Sequence, residues 1–348
     1  MLPPVKLRHL ALPVLLLVAC SVGCGSYAAR RIAQAPNTYP SWLAPDARVL
    51  LVFEERMLTN FPAQFAEVGP PAARLHYRVV EPAEYHFEVA STNWMANGKG
   101  KYQFNFRADV PGETNAWTTA PRGTVLLLHG YALAKFAMAP WGLQLAQEGW
   151  RSVLVDLRGH GHSTGDRIYF GIQESPDLSQ LLDTLERRGE LAHPVAVVGE
   201  SYGAALALRL KSNDPRIDGV VAMAPYAVLS NAVLNICREY APCLPLAFPK
   251  AGLKRLPEIL DVPSGELDTT TILARQPVKA LFIATDGDEI IPLTDVRLLS
   301  EMAAPGSKLI VVPAATHESL PYYFGDLAQP VLEWLEATVP QPQRSDPQ

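Results

Sequence analysis

From about Arg122 onward, short apolar runs alternate with longer stretches whose apolar positions recur every three or four residues. The runs are Thr124–Leu128, Ser152–Asp156, Val195–Val198, Gly219–Ala222, Lys279–Ala284 and Lys308–Val312. They have strand length and are largely apolar, as strands buried on both faces of a parallel sheet require. The intervening stretches predict helices over Ala137–Gly149, Glu174–Arg188, Ser201–Asn213 and Leu293–Ala303, with Tyr322–Ala337 closing the unit. In the second of these, Leu178, Leu181, Leu182 and Leu185 fall on one face. The alternation predicts an α/β fold: a mostly parallel central sheet flanked by helices.

Two regions break the rhythm. Ahead of Arg122, Leu75–Val80 and Tyr85–Ala90 read as two strands joined around Pro82, and Tyr102–Ala108 as a third. Trp94–Lys101, with Asn97, Gly98 and Gly100, reads as a turn. Residues 21–75 are rich in Ala, Pro and polar side chains and read as a tether followed by an irregular layer, with one helix within Val49–Phe65. The second break lies between Ala224 and Val278, about fifty residues, too long for a structureless loop in a compact domain. It reads as an inserted cap, about 225–277, of short helices with an apolar surface (Leu229, Val233, Leu244, Leu246, Phe248, Leu253, Leu256). The chain thus divides into a leader (1–19), a tether and N-terminal extension (20–75) and a main domain with its cap (76–348).

The leader has a basic start, Lys6, Arg8 and His9, then an apolar stretch Leu10–Ala19 interrupted by Pro13. A membrane-spanning helix needs roughly 20 apolar residues, so this stretch is an address rather than a permanent span. Its end, Leu17-Val18-Ala19-Cys20, resembles the lipobox of bacterial lipoproteins. The resemblance implies cleavage before Cys20 and acylation of that residue, with Cys24 a weaker alternative. The expectation is a protein lipid-anchored to a membrane of the bacterial cell envelope, facing away from the cytoplasm. In an oxidising compartment Cys237 and Cys243 are candidates for a short-loop disulfide, with two free thiols as the alternative.

Composition narrows the field. Of 348 residues, 48% are hydrophobic and 19% charged, which supports a sizeable core. The formal net charge of −5 gives no basis for nucleic acid as a partner.

The candidate chemistry centres on Gly199-Glu200-Ser201-Tyr202-Gly203. This motif stands directly after the run Val195–Val198 and directly before an Ala- and Leu-rich helix. Gly-x-Ser-x-Gly on a strand–turn–helix junction is the setting of a nucleophilic serine, and its glycines make room for a sharp turn. A serine needs a base. Of the eight histidines, His317 follows the final strand, on the side of the sheet where Ser201 emerges. The base needs an acid to hold its tautomer. Asp286, Asp288 and Glu289, after the preceding strand, all qualify by position.

The order Ser201, acid, His317, with His129-Gly130 after an earlier strand, resembles the α/β-hydrolase superfamily. The resemblance implies an α/β-hydrolase fold with the acid after the seventh strand in an Asp-x-x-Val-Pro-like setting. That matches Asp288-Glu289-Ile290-Ile291-Pro292 and assigns Asp288, with Asp286 in reserve. Asp156-Leu157-Arg158-Gly159-His160-Gly161-His162-Ser163 is similar to the Asp-x-Arg-Gly-x-Gly-x-Ser loop of esterases, monoacylglycerol lipases and serine aminopeptidase-like hydrolases, and implies structural support beneath the site. His160 and His162 lack companions at metal-ligand spacing, so no metal and no cofactor are expected. By position, the backbone N–H groups of Tyr131 and Tyr202 form the oxyanion hole, and the two phenols are candidates to line the pocket. The resemblance covers roughly 122–338.

The expected reaction is two-step acyl transfer on a carboxylic ester, lipase- or lysophospholipase-like, with a small-molecule or lipid ester as substrate. Peptidases, thioesterases and cofactor-free haloperoxidases of the same fold are alternatives. A non-catalytic envelope-binding lipoprotein and a structural lipoprotein acting through residues 21–75 are rivals from other classes.

Overall fold

The computed structural model describes residues 24–39, 57–96, 99–109 and 120–338. The leader, Cys20 and residues 49–56 of the expected N-terminal helix lie outside them. Ten strands are described: β1 (Gln64–Val68), β2 (Ala73–Val80), β3 (His86–Ala96), β4 (Lys99–Asp109), β5 (Thr124–Leu128), β6 (Arg151–Val155), β7 (Val195–Glu200), β8 (Ile217–Met223), β9 (Leu281–Thr285) and β10 (Lys308–Val312). Eight of these form one sheet in the order β1-β2-β6-β5-β7-β8-β9-β10. β1 and β2 run antiparallel to their neighbours, and from β6 to β10 every pairing is parallel.

The central strands are almost wholly apolar because helices cover both faces. All residues of β5 and β7 are buried. The flanking helices are α1 (Ala139–Gln147), α2 (Glu174–Arg187), α3 (Tyr202–Asn213), α4 (Leu229–Tyr240), α5 (Ala247–Leu260), α6 (Thr269–Arg275), α7 (Leu293–Met302) and α8 (Phe324–Thr338). The leucine face of α2 is fully buried at positions 178, 181, 182 and 185, each side chain contributing about 1.5–3 kcal/mol of apolar transfer. Edge strand β10 keeps Lys308 and Val311 exposed.

The N-terminal part departs from its sequence reading. Phe65, placed at the end of a helix, belongs to strand β1, where only Ala66 and Val68 are buried. The strands joined around Pro82 enter different sheets, and the span Trp94–Lys101, read as a turn, is strand up to Ala96 and again from Lys99. β2 pairs with β1 and β6, whereas β3 pairs with β4 in a separate two-stranded hairpin. Local pattern identifies a strand but carries no information about its partner.

Between β8 and β9 the chain makes α4, α5 and α6. The ends of this insertion are tied together: Leu229 N–H donates to Asp268 at 2.8 Å and Thr270 N–H to the Ala227 carbonyl at 3.2 Å. Residues 24–32 are helical and lie against α5. The contact is close enough that a Cβ on Gly252 would meet the Ala28 Cβ at 2.8 Å.

Beneath the sheet's carboxyl edge, the loop after β6 is held by buried charges. Asp156 accepts from Lys135 Nζ at 2.7 Å, Lys135 N–H at 2.8 Å and His162 N–H at 2.9 Å. Arg158 makes a forked pair with Asp177 at 2.7 and 2.8 Å. Gly161 sits at φ +49°, and a Cβ there would fall 2.3 Å from the Asp156 carboxylate, so only glycine fits. The side chains of Lys135 and Asp156 are fully buried, so removing the ammonium strands a carboxylate without a counter-charge. Lys135→Met is expected to cost about 3–5 kcal/mol in urea unfolding. Adding Asp156→Asn to that variant recovers part of the loss, because the stranded charge is gone.

Candidate active site

Ser201 stands at the turn from β7 into α3, at φ 50° and ψ −112°. A non-glycine residue held at positive φ costs on the order of 1–3 kcal/mol, offset by surrounding structure. Here the surroundings are backbone. Ser201 N–H donates to the Met223 carbonyl at 2.7 Å. A Cβ on Gly199 would lie 2.3 Å from the Gly203 carbonyl oxygen, and one on Gly203 would lie 2.3 Å from that of Leu128. Both glycines of the motif are therefore required by packing. The serine hydroxyl leaves the turn at the N-terminal, electropositive end of α3.

His317 reaches it from the loop after β10. Its Nε2 is 2.9 Å from Ser201 Oγ, and its Nδ1 is 2.7 Å from Asp288 Oδ2. The other Asp288 oxygen accepts the Ile290 and Ile291 N–H groups at 2.8 and 2.7 Å, so the carboxylate is buried and fully bonded. Asp286, the reserve, is exposed and accepts the Ala314 N–H at 2.8 Å. Proximity to the imidazole thus separates two aspartates that position in the chain left equal. Burial disfavours the imidazolium of His317, but contact with Asp288, together with Glu318 and Glu200, outweighs it and raises the pKa above 6.5.

The loop expected to supply the oxyanion hole follows β5. Among the described residues, the backbone N–H groups of Tyr131 and Tyr202 have no hydrogen-bond acceptor. The loop is anchored by several contacts. His129 Nδ1–H donates to the Gly130 carbonyl at 2.8 Å, and its Nε2 accepts the Leu157 N–H at 3.1 Å. That pattern fixes a neutral tautomer, and burial pushes the ring's pKa down.

Glu200 is the residue the sequence reading passed over. It is buried, and its carboxylate accepts the Gly130 N–H at 3.0 Å. It joins the nucleophile turn to the oxyanion loop directly. Burial raises its pKa, opposed by the Gly130 N–H and the neighbouring His317. The signal was present: an acid immediately after an apolar buried strand must have a partner.

The two tyrosine side chains differ. Tyr202 is buried in the core beside His160 and Phe170, at ring separations of 5.8 and 6.2 Å, so it packs rather than lining a pocket. Tyr131 is half-buried, and its hydroxyl lies 2.7 Å from that of Tyr39.

Cys237 and Cys243 are unbonded thiols. Cys237 sits half-buried in the last turn of α4, where burial raises its pKa, whereas Cys243 is exposed in the segment beyond. The short spacing suggested a bridge, but the helix continues to Tyr240 and gives the two side chains different surroundings. His160 Nδ1–H donates to the Arg158 carbonyl at 2.9 Å, and burial pushes its pKa down to about 3. His76, Asp156 and His162 bring ligand-type atoms within 4.8 Å of one another. The carboxylate there is already neutralised by Lys135.

An eight-stranded sheet with antiparallel first strands, a serine turn after the fifth strand of that sheet, and acid and histidine after the last two define an α/β-hydrolase. Solved structures agree on the fold. An esterase of Pyrococcus furiosus superposes with a TM-score of 0.56 at 20% identity, covering 80% of this chain and 94% of that one. A Xanthomonas campestris α/β serine hydrolase without a lid gives 0.52 at 16% identity, covering 82% and 97%.

Residues 119–310 match the family described as serine aminopeptidase, S33, and the chain belongs to this family of serine hydrolases. Two curated relatives are similar. A monoacylglycerol lipase of Mycolicibacterium smegmatis is 26% identical over 242 residues, 59% of this chain and 85% of that protein. The uncharacterised protein YqkD of Bacillus subtilis is 24% identical over 202 residues, 56% of this chain. The match spans 64% of the Bacillus protein's length.

The raised His317 pKa has a direct readout. In an NMR titration, its imidazole is expected to titrate above 6.5, and Asp288→Asn is expected to bring that midpoint down. By linkage, the wild-type interaction adds stability that is complete below 6.5 and is lost as pH climbs through the folded-state value.

Proposed function

We propose that this chain is a carboxylic ester hydrolase, lipase- or lysophospholipase-like, that works through a covalent acyl-enzyme on Ser201. The observation that carries the reading is the continuous hydrogen-bond chain from Asp288 through His317 to Ser201 at a strained turn. His317 Nε2 removes the hydroxyl proton as Ser201 Oγ attacks the ester carbonyl carbon. The N–H groups of Tyr131 and Tyr202 bind the oxyanion. Each such donor contributes ~10²–10³ in rate, because it acts where charge develops. His317 then returns its proton to the departing alkoxide, and the carbonyl re-forms as the C–O bond breaks. Water repeats the sequence on the acyl-enzyme, releasing the carboxylic acid and restoring Ser201.

The choice of an ester rests on the apolar cap and on the similarity to a monoacylglycerol lipase. Val233, Leu244, Leu246 and Phe248 of the cap are only half-buried, a surface suited to an acyl chain. The family's description as serine aminopeptidases favours a second reading, cleavage of an N-terminal peptide bond. The lipobox-like Leu17-Val18-Ala19-Cys20 supports anchoring of the mature enzyme to an envelope membrane through Cys20.

Ser201→Ala is expected to reduce hydrolysis of p-nitrophenyl esters by at least ~10⁴-fold while leaving the circular dichroism spectrum unchanged. Residual turnover equal to wild type would remove Ser201 from the mechanism. A panel of graded acyl esters and aminoacyl amides separates the readings: esters of medium or long chain are expected to lead, and a preference for the amides would make the enzyme a peptidase. Expressed from its full-length gene in a bacterium, Cys20→Ser is expected to lose metabolic labelling by palmitate and to leave the membrane fraction. Undiminished labelling would refute Cys20 as the acceptor.

A further inference from the structure

Residues 24–39 lie outside the segment that matches the family, yet they run from the cap to the oxyanion loop. Their helix packs on α5, with Ala28 against Gly252 and Tyr27 against Phe248 at 6.3 Å between ring centres. The chain then crosses the loop after β6 and is bonded to it at several points. Ile168 N–H donates to the Ala33 carbonyl at 2.8 Å, Asn37 N–H to Gly159 at 3.0 Å, and Asn37 Nδ2 to Ser163 at 2.7 Å. Ala35 is fully buried in this crossing. The segment ends by setting the Tyr39 hydroxyl 2.7 Å from that of Tyr131. Tyr39 O–H also reaches the Gln34 carbonyl at 3.3 Å. The consistent arrangement is that Tyr131 donates to Tyr39 and Tyr39 donates onward to its own backbone.

Tyr131 is the residue whose backbone N–H faces the forming oxyanion in the reading above. It is followed by Ala132 at φ 57°, a left-handed conformation unfavourable for alanine. A turn of that kind holds its shape only when its neighbours fix it. Glu200 fixes Gly130 through the backbone; the Tyr131 ring packs edge-on against His160 at 6.3 Å, and among the described residues its hydroxyl is hydrogen-bonded by Tyr39. We propose that Tyr39 is a positioning residue for this enzyme: its hydroxyl locks the Tyr131 side chain and, through it, the N–H that stabilises the transition state. The N-terminal segment is then a strap that completes the oxyanion hole. This inference rests on the acyl-transfer reading of Ser201, His317 and Asp288.

The test is a double-mutant cycle on ester hydrolysis with Tyr39→Phe and Tyr131→Phe, which keep both rings and remove one hydroxyl each. Each single variant is expected to lower kcat about 5- to 30-fold, part of the ~10²–10³ that loss of a whole donor costs, with KM within about twofold. The double variant is expected to fall no further than the worse single one, because both remove the same bond. If Tyr39→Phe turns over at the wild-type rate, if its loss appears in KM alone, or if the two losses multiply, the inference is wrong and the site reading stands. If wild-type hydrolysis does not depend on Ser201, both fall together.

Discussion

The turn between β7 and α3 constrains everything around it. Ser201 is held at positive φ because its N–H is tied to Met223 and because Gly199 and Gly203 let backbone come where no Cβ fits. Once that turn is closed, the hydroxyl projects beyond the carboxyl edge of the sheet and the Tyr202 N–H is left without a helical partner. The parallel neighbours β8, β9 and β10 end at the same edge, so the loops carrying Asp288 and His317 meet there. A shift of one strand in register would part them. Such a shift would also disrupt the close packing of the side chains of β5, β7 and β8, which are almost all buried against helices on both faces.

A second layer of interactions keeps the oxyanion loop in place. Its anchors are polar and mostly buried: Glu200 on Gly130, His129 on Leu157, and Lys135 on Asp156. Burial makes each of them costly to leave unpaired, so the loop has one arrangement in which all are satisfied. The loop of Asp156 to Ser163 is therefore a foundation for the site. Burial pushes both His160 of this loop and His76 of the adjoining β2 down to about 3.

The cap and the N-terminal segment share a boundary. The helix of residues 24–32 rests on α5, and the following residues are bonded to the loop after β6. A single covalent stretch thus links the surface that would meet an acyl chain with the loop that would meet the oxyanion.

The alternation of apolar runs and helical stretches determined the α/β class, the flanking helices and the place of the inserted helices, since periods of two and 3.6 are properties of the chain itself. The glycine-flanked serine and the histidine after the last strand were legible for the same reason, as each is defined by the element it follows. Spacing alone left Asp286 and Asp288 equal and the family resemblance pointed to Asp288; the fold supplies the physical difference, since only Asp288 is buried against the imidazole. The strand character of Phe65, the free state of Cys237 and Cys243, and the contact of Tyr39 with Tyr131 were also decided in three dimensions. All are encounters between distant segments, or differences in burial, and a linear pattern records neither.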